Sequence, residues 1–387
     1  MSEHDGDRFV VVSADCHAGA PLLGYRDYLD ASFRADFDRW AAEFVNPFDD
    51  LDEVYADRNW DSAKRLAHLE GDGIAAEVIF PNTVPPFFPR NGIVAGAPSA
   101  GDYEQRWAGL QAHNRWLVDF CGEVPSRRAG IAQLLFNDPD DAVAEITRTK
   151  EAGLFGGVLL PSIPPGSAIP PIWSSDYDRI WAACVDLDVP VNHHGGSGSP
   201  DYGWELGMAR MVYLTEFTFF SNRNVWHMIW GGVFERHPGL RYVITEQGFT
   251  NVLDGLRTQE YFADMIHEEG SAARHLVGEA YVAELPLRPS EYVRRNCWFG
   301  ASMLSAADAA RRDEAGVGRV MWGADYPHTE GTWPHSKDAM TAAVDGIPDD
   351  EARRMLGLNA AEFYGFDLDV LEPIAARIGP APASAVG

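Results

Sequence analysis

Positive charge is what this chain has least of. Its 387 residues carry 31 Lys and Arg against 58 Asp and Glu, a formal net charge of -27 at pH 7, and the lysines are only Lys64, Lys150 and Lys337. Nucleic-acid binding draws most of its affinity from cations that neutralise phosphates, so no nucleic-acid partner is expected. Cysteine is nearly as scarce. Cys16, Cys121, Cys184 and Cys297 lie far apart without a CxxC pair, which argues against a disulfide framework or a zinc-thiolate site and fits a reducing compartment. No apolar run approaches the roughly 18 residues of a spanning helix, so no membrane partner is expected. The opening MSEHDGDRF lacks the basic-then-apolar pattern of a secretory signal, and the expected location is the cytoplasm. A GxGxxG between a first strand and helix is missing, as is GxSxG. Their absence argues against a dinucleotide fold and against a serine-hydrolase elbow.

Apolar residues are present in ordinary measure, 46% of the chain, enough for a large buried core. They concentrate in eight short runs: FVVVSADCH (9 to 17), AAEVIFP (75 to 81), RAGIAQLLF (128 to 136), FGGVLLPS (155 to 162), VPVNHHG (189 to 195), RYVITEQG (241 to 248), CWFGAS (297 to 302) and VMWGADYP (320 to 327). Between them lie segments of helical periodicity such as SAKRLAHLEGDG and DPDDAVAEITRTKEAG. Nearly all-apolar strands alternating with helices call for a parallel sheet, and eight such units fit a closed (β/α)8 TIM barrel; an open doubly wound sheet is the alternative. The pattern predicts a single domain with its core at about 9–365 and a frayed tail APASAVG. Long insertions are expected after strands 1, 2 and 5 (residues 18–60, 82–112 and 199–235). Loops that follow barrel strands build the active-site face, so these insertions belong near the site. The aromatic-rich MVYLTEFTFFSNRNVWHMIWGG suits a substrate wall, a subunit interface or core packing.

The residues that end the runs are of a chemical kind. The first run ends in Asp15 and His17, the fifth in His193 and His194, the sixth in Glu246, the eighth in Asp325 followed by His328. Side chains alternate along a strand, so Asp15 and His17 share one face while Cys16 takes the other, and His193 points away from His194. On the first stretch alone a polar turn is the more frequent explanation. In a barrel, however, all these ends converge on one mouth, where three or four N/O donors make a metal site with an open position.

These blocks identify the chain as resembling the amidohydrolase-related family, in the branch that contains aminocarboxymuconate semialdehyde decarboxylase and related aromatic-acid decarboxylases. The resemblance covers roughly 9 to 365. It is carried by SADCHAG, AKRLAHLEGDGIAAEVIFPN, AHNRWLVDFC, the DP of FNDPDDAVAEI, VPVNHHGG, GGVFERHPGLRYVITEQG and VMWGADYPHTEGTWP. It implies a (β/α)8 fold and one divalent metal ion, zinc or manganese, with Asp15, His17, His194 and Asp325 as ligands. The DxH of the first motif departs from the HxH or ExH of many relatives, and Glu246 stands where many have a strand-six histidine. The fourth run offers no Lys or Glu to bridge two metals, so a mononuclear site is expected. The resemblance also makes a homodimer the expected assembly.

Catalytic roles are expected for Asp325 as proton shuttle, for Glu246 in orienting water or ligand, and for His328 as a substrate contact or acid, with a loop-fixing hydrogen bond the alternative for His328. Glu246 is equally compatible with a hydrogen bond to a metal-bound histidine. Structural roles are expected for His193 and His237, and solvent or core roles for His68 and His113. Cys16 faces away from the site. Arg90 either clamps a substrate carboxylate or lies on the surface. The expected reaction is non-oxidative decarboxylation of an aromatic or unsaturated carboxylic acid. Hydrolysis of an amide, ester or lactone by metal-activated water and a metal-free binding protein are the alternatives.

Overall fold

Eight parallel strands pair strictly in chain order: β1 (Val12–Ala18), β2 (Ala76–Pro81), β3 (Arg128–Ala132), β4 (Gly157–Leu159), β5 (Val191–His194), β6 (Tyr242–Thr245), β7 (Cys297–Ser302) and β8 (Val320–Gly323). The computed structural model describes residues 8–46, 56–203 and 207–382; most of the tail APASAVG lies outside them. The ring closes just beyond β8. Asp325 N donates to Asp15 O at 2.8 Å, and His17 N donates to the Tyr326 carbonyl at 2.6 Å. Eight parallel strands with helices between them make a (β/α)8 barrel.

Each predicted run contains a strand, but most strands are shorter than their runs. Leu134, Leu135 and Phe136, for example, are buried without belonging to β3. Helices follow where local chemistry starts them. Asp61 caps Ser62–Gly71 by accepting from Lys64 N, and Asp138 caps Pro139–Glu151, whose proline stands in the first turn. Structured segments follow β1, β2 and β5 as the spacing predicts. A further one lies between β6 and β7, with helices Phe249–His267, Ala272–Val277, Glu279–Glu284 and Pro289–Asn296. Its first helix has ordinary amphipathic spacing, so the sequence alone does not set it apart from a plain barrel helix.

Two apolar layers hold the barrel. Val12, Ala14, Val78, Phe80, Ile131, Leu159, Val243 and Met321 form an inner cluster together with Phe363, Tyr364 and Phe366 near the C-terminus. The Tyr364 hydroxyl donates to Asn192 Oδ1 of β5 at 2.8 Å. Val11, Cys16, Ile79, Trp116, Ile146 and Trp181 belong to the larger outer layer between strands and helices. At about 1.5–3 kcal/mol for each fully buried side chain, these layers outweigh the several kcal/mol that each buried ion costs.

A bulge in β1 positions the site. Its register with β2 shifts between Ser13 and Cys16, and an extra residue in one strand re-aims the side chains beyond it. Val12 and Ala14 therefore line the inner cluster, whereas Cys16 and Ala18 belong to the outer one, leaving Asp15 and His17 on the inner side. Ser13 holds the bulge: its hydroxyl donates to Asp15 O and accepts from Ala324 N, each at 2.8 Å.

Candidate metal centre

Asp15 and His17 of β1 and His194 at the end of β5 bring donor atoms within 4.8 Å of one another, Asp325 beyond β8 reaches the same His17, and all four are at most 2% exposed. His17 Nε2 lies 3.3 Å from Asp15 Oδ1 and 3.3 Å from Asp325 Oδ1, and His194 Nε2 lies 3.5 Å from Asp15 Oδ1. None of these contacts is a hydrogen bond. Among the described residues, Asp15 Oδ1, His17 Nε2, His194 Nε2 and Asp325 Oδ2 are all buried without a hydrogen-bond partner, at a cost the fold carries only where something else satisfies them. Two donors each about 2.0–2.2 Å from a shared ion sit roughly 3–3.5 Å apart at tetrahedral or octahedral angles, so the spacing fits an ion.

The far side of each imidazole is tied. His17 Nδ1 donates to the Pro81 carbonyl at 3.2 Å and His194 Nδ1 to the Gly195 carbonyl at 3.0 Å. A carbonyl only accepts, so Nδ1 carries the hydrogen and the Nε2 lone pair faces the centre when the ring is neutral. Ser302 at the end of β7 donates to Asp15 Oδ2. Arg65 is wholly buried, pairs with Glu77 of β2 through Nη2 at 2.6 Å, and donates from Nη1 to the His17 carbonyl at 2.7 Å.

The electrostatics describe a place for positive charge. Burial works against charging His17, yet the Asp15 and Asp325 carboxylates hold its proton up to about 10. Asp15 is in turn held low by His17 and His194 against its burial. Burial pushes Glu246 up to about 8; the His194 ring pulls the other way, and the charges of Asp325 and Asp15 push it further up. Both Glu246 (φ 58°) and Asp325 (φ 57°) have left-handed backbones, a conformation that costs non-glycine residues and collects at functional sites.

Glu246 reaches the outer nitrogen of His194, with Oε2 3.2 Å from Nδ1. His328 bridges two acceptors: Nδ1 donates to Asp325 Oδ1 at 2.8 Å and Nε2 to Asn82 Oδ1 at 3.1 Å. Asn82 Nδ2 donates to Asn59 Oδ1 at 2.7 Å, and Asn59 Nδ2 to the Ala56 carbonyl at 3.0 Å. This sense of donation leaves His328 a hydrogen on each nitrogen. The His328 ring lies over that of His17, centroids 4.1 Å apart.

Several other residues complete the surroundings. Glu330 joins Glu246, Asp325 and His328 in a group whose donor atoms lie within 4.8 Å of one another. Phe217 and Tyr213 of the helix Gly207–Trp230 press on Gly195 and Gly196. A Cβ on Gly195 would stand 2.4 Å from Phe217 Cζ, and one on Gly196 2.5 Å from the Tyr213 hydroxyl. A cavity of about 200 Å³ opens between the segments after β1 and β2, lined by Leu22, Phe44, Trp60, Thr83 and Val84 among others and by none of the four donor residues. Sequence reasoning missed Asn59, Asn82, Ser302 and Glu330; the Asn of FPN, directly after a strand, was the available signal.

Other singled-out residues have other partners. His193 sits between the Asn224 and Gln247 amides, and burial pushes it down to about 3. His113 bonds the Tyr25 hydroxyl at 2.9 Å, His68 that of Tyr326 at 2.9 Å, and His237 lies 3.2 Å from Asp178. Arg90 pairs with Asp201. The Cys16 thiol is buried against Ser13, and burial pushes it far up, so it offers no thiolate.

Comparison with known proteins places this geometry in context. A family model described as Amidohydrolase matches residues 14–366. A gamma-resorcylate decarboxylase of Rhodococcus jostii (strain RHA1) is 29% identical over 151 residues, 35% of this chain and 44% of that protein; the match thus spans less than half of that relative. An amidohydrolase from Mycobacterium avium subsp. paratuberculosis K-10 superposes with a TM-score of 0.68 at 21% identity, covering 92% of this chain and 99% of that one. A 5-carboxyvanillate decarboxylase from Novosphingobium aromaticivorans DSM 12444, complexed with manganese and 4-hydroxy-3-methoxy-5-nitrobenzoic acid, superposes at 0.67 and 17% identity, covering 94% and 98%.

Proposed function

Because the chain belongs to the Amidohydrolase family across residues 14–366, we propose that it is a mononuclear metal-dependent enzyme that removes CO2 from an aromatic or unsaturated carboxylic acid without an oxidant. One observation carries the reading: the buried donor atoms of Asp15, His17 and His194, without a hydrogen-bond partner among the described residues, lie within 4.8 Å of one another, with Asp325 against His17. Asp15, His17, His194 and Asp325 would hold the ion, zinc or manganese. When bound, it supplies a Lewis-acidic anchor for the acid's carboxylate. The charges agree, since a cation is needed before an anionic substrate can approach Asp15, Asp325, Glu246 and Glu330.

The chain's own groups do the proton work. His328 passes a proton along its 2.8 Å bond to Asp325, and Asp325 delivers it to the ring carbon that bears the carboxyl group. As that C–H bond forms, the C–C bond breaks, its electron pair returns to the ring, and CO2 leaves. Glu246 orients His194 through Nδ1. Phe217 and Tyr213 wall the site and limit water.

The exposed apolar side chains of the same helix, Met208, Met211, Leu214 and Phe219, support the expected homodimer through a face that a second copy would cover. The test is a screen of hydroxylated benzoates, amides and lactones with manganese- or zinc-loaded protein, following CO2 and hydrolysis together. Release of CO2 that stops on chelation supports the reading, whereas hydrolysis alone overturns it.

A further inference from the structure

The far end of the helix Gly207–Trp230 borders a second cavity, of about 770 Å³, that shares no lining residue with the metal centre. Its volume lies within the ~300–1,000 Å³ of small-molecule sites. Trp173, His227, Trp230 and Tyr281 supply aromatic lining, and Glu235 and Glu284 supply carboxylates.

The aromatic lining is fixed by its polar atoms. Trp230 Nε1 donates to Gln259 Oε1 at 2.7 Å, and the Tyr281 hydroxyl donates to the Trp230 carbonyl at 2.7 Å. Trp173 stands edge-on to His227, ring centroids 4.5 Å apart. A Cβ on Gly231 would lie 2.1 Å from Trp173 Cβ, so only glycine lets that tryptophan close the wall. Arg236 buttresses it, donating to the Gly231 carbonyl at 2.8 Å and the Trp173 carbonyl at 3.3 Å.

Among the lining residues, Glu284 carries the charge that is left over. Arg236 is matched by Asp178 at 2.9 Å, and His227 is kept neutral, pushed down to about 4 by burial and by Arg223. Glu235 has Arg295 3.5 Å away, and Glu284 makes no ion pair among the described residues. Aromatic rings beside the Glu284 carboxylate attract an ammonium group with an apolar body, through the ring quadrupole and through charge. They disfavour a carboxylic acid. We propose that this cavity binds a small organic cation, an alkyl- or arylammonium compound, and is therefore a ligand site separate from the metal centre.

The probe is benzyltrimethylammonium, titrated by calorimetry and tryptophan fluorescence into the full-length, metal-loaded protein, with benzoate and benzyl alcohol as anionic and neutral counterparts. Expected is saturable one-to-one binding of the cation, at least tenfold tighter than either counterpart. Glu284→Gln, at an exposed helix end, and Trp173→Leu should each weaken it about fivefold or more. Absence of saturation at 10 mM, equal binding of benzoate, or binding that both substitutions leave unchanged would overturn the proposal. Catalytic turnover is no part of the readout, so failure here and failure of the decarboxylase reading are distinguishable.

Discussion

His328 Nδ1 donates to Asp325 Oδ1 at 2.8 Å, while Oδ2 of the same buried carboxylate meets no hydrogen-bond donor among the described residues. One oxygen is fixed by the neighbouring ring and the other is left available. The polarity extends outward through Asn82 and Asn59, which keep an acceptor against His328 Nε2.

Replacing Asn82 with Ala should therefore lower kcat about ten- to hundredfold, the scale of misplacing a proton-transfer group. Metal content should stay at the wild-type level because no proposed ligand is touched. Asn82→Asp, which keeps an oxygen facing His328, should restore part of the loss. Steady-state kinetics beside elemental analysis checks this, and a fall in metal content would count against it.

Removing a donor atom should remove the ion itself. His17→Ala and Asp325→Asn should each bring bound metal below about a tenth of wild type after dialysis, and activity should fall with it. Glu246→Gln should behave differently. It changes the group beyond His194 Nδ1, so metal affinity should weaken by about 10–100-fold while saturating metal recovers occupancy.

Metal binding should strengthen with pH. An imidazole ligates only when neutral, and without the ion His17 keeps its proton up to about 10. His194 is shifted upward as well, Glu246 and Asp15 prevailing over its burial. At neutral pH the ion must displace at least one proton. Apparent affinity should rise about tenfold per pH unit between 6 and 9 for each proton displaced. Titrations in buffers of different ionisation enthalpy count the protons released; a flat profile would refute the assignment.

Arg65→Met should destabilise the barrel more than most single changes. It leaves Glu77 with Arg128 at 3.3 Å as its remaining cation and takes a donor from the His17 carbonyl. Breaking a buried pair costs about 3–5 kcal/mol, and Arg128 should hold the loss near the lower end. Denaturant unfolding of the metal-free protein measures it.

The strands were legible because a parallel barrel buries both faces and so writes itself as apolar runs. Asp15, His17, His194 and Asp325 stand out because ionisable side chains recur at the ends of several runs that a barrel brings to one mouth, where a single such end would read as a polar turn. Asn82, Asn59 and Ser302 are small polar residues of a kind that ends strands everywhere; their importance lies in partners distant along the chain, and pairing of that sort leaves no periodicity. Arg65 was hidden in the same way, as an ordinary charge within a helical pattern until β2 brought Glu77 to it. The parity of β1 was read as that of a regular strand, whereas the bulge at Ser13 to Cys16 separates the face that carries Val12 and Ala14 from the stretch that presents the donors. The segment between β6 and β7 went unremarked because its helices look like those of any barrel.

Asp15 and Asp325 meet across the seam where the ring closes, the backbone of one bonded to the backbone of the other. During synthesis the first waits through some three hundred residues for the second, so the proposed ligand set is complete only when nearly the whole barrel has been made. Under that proposal full metal coordination is a late event in the life of each chain. Fragments that stop short of Asp325 should emerge unable to capture an ion, however much of their sheet has assembled.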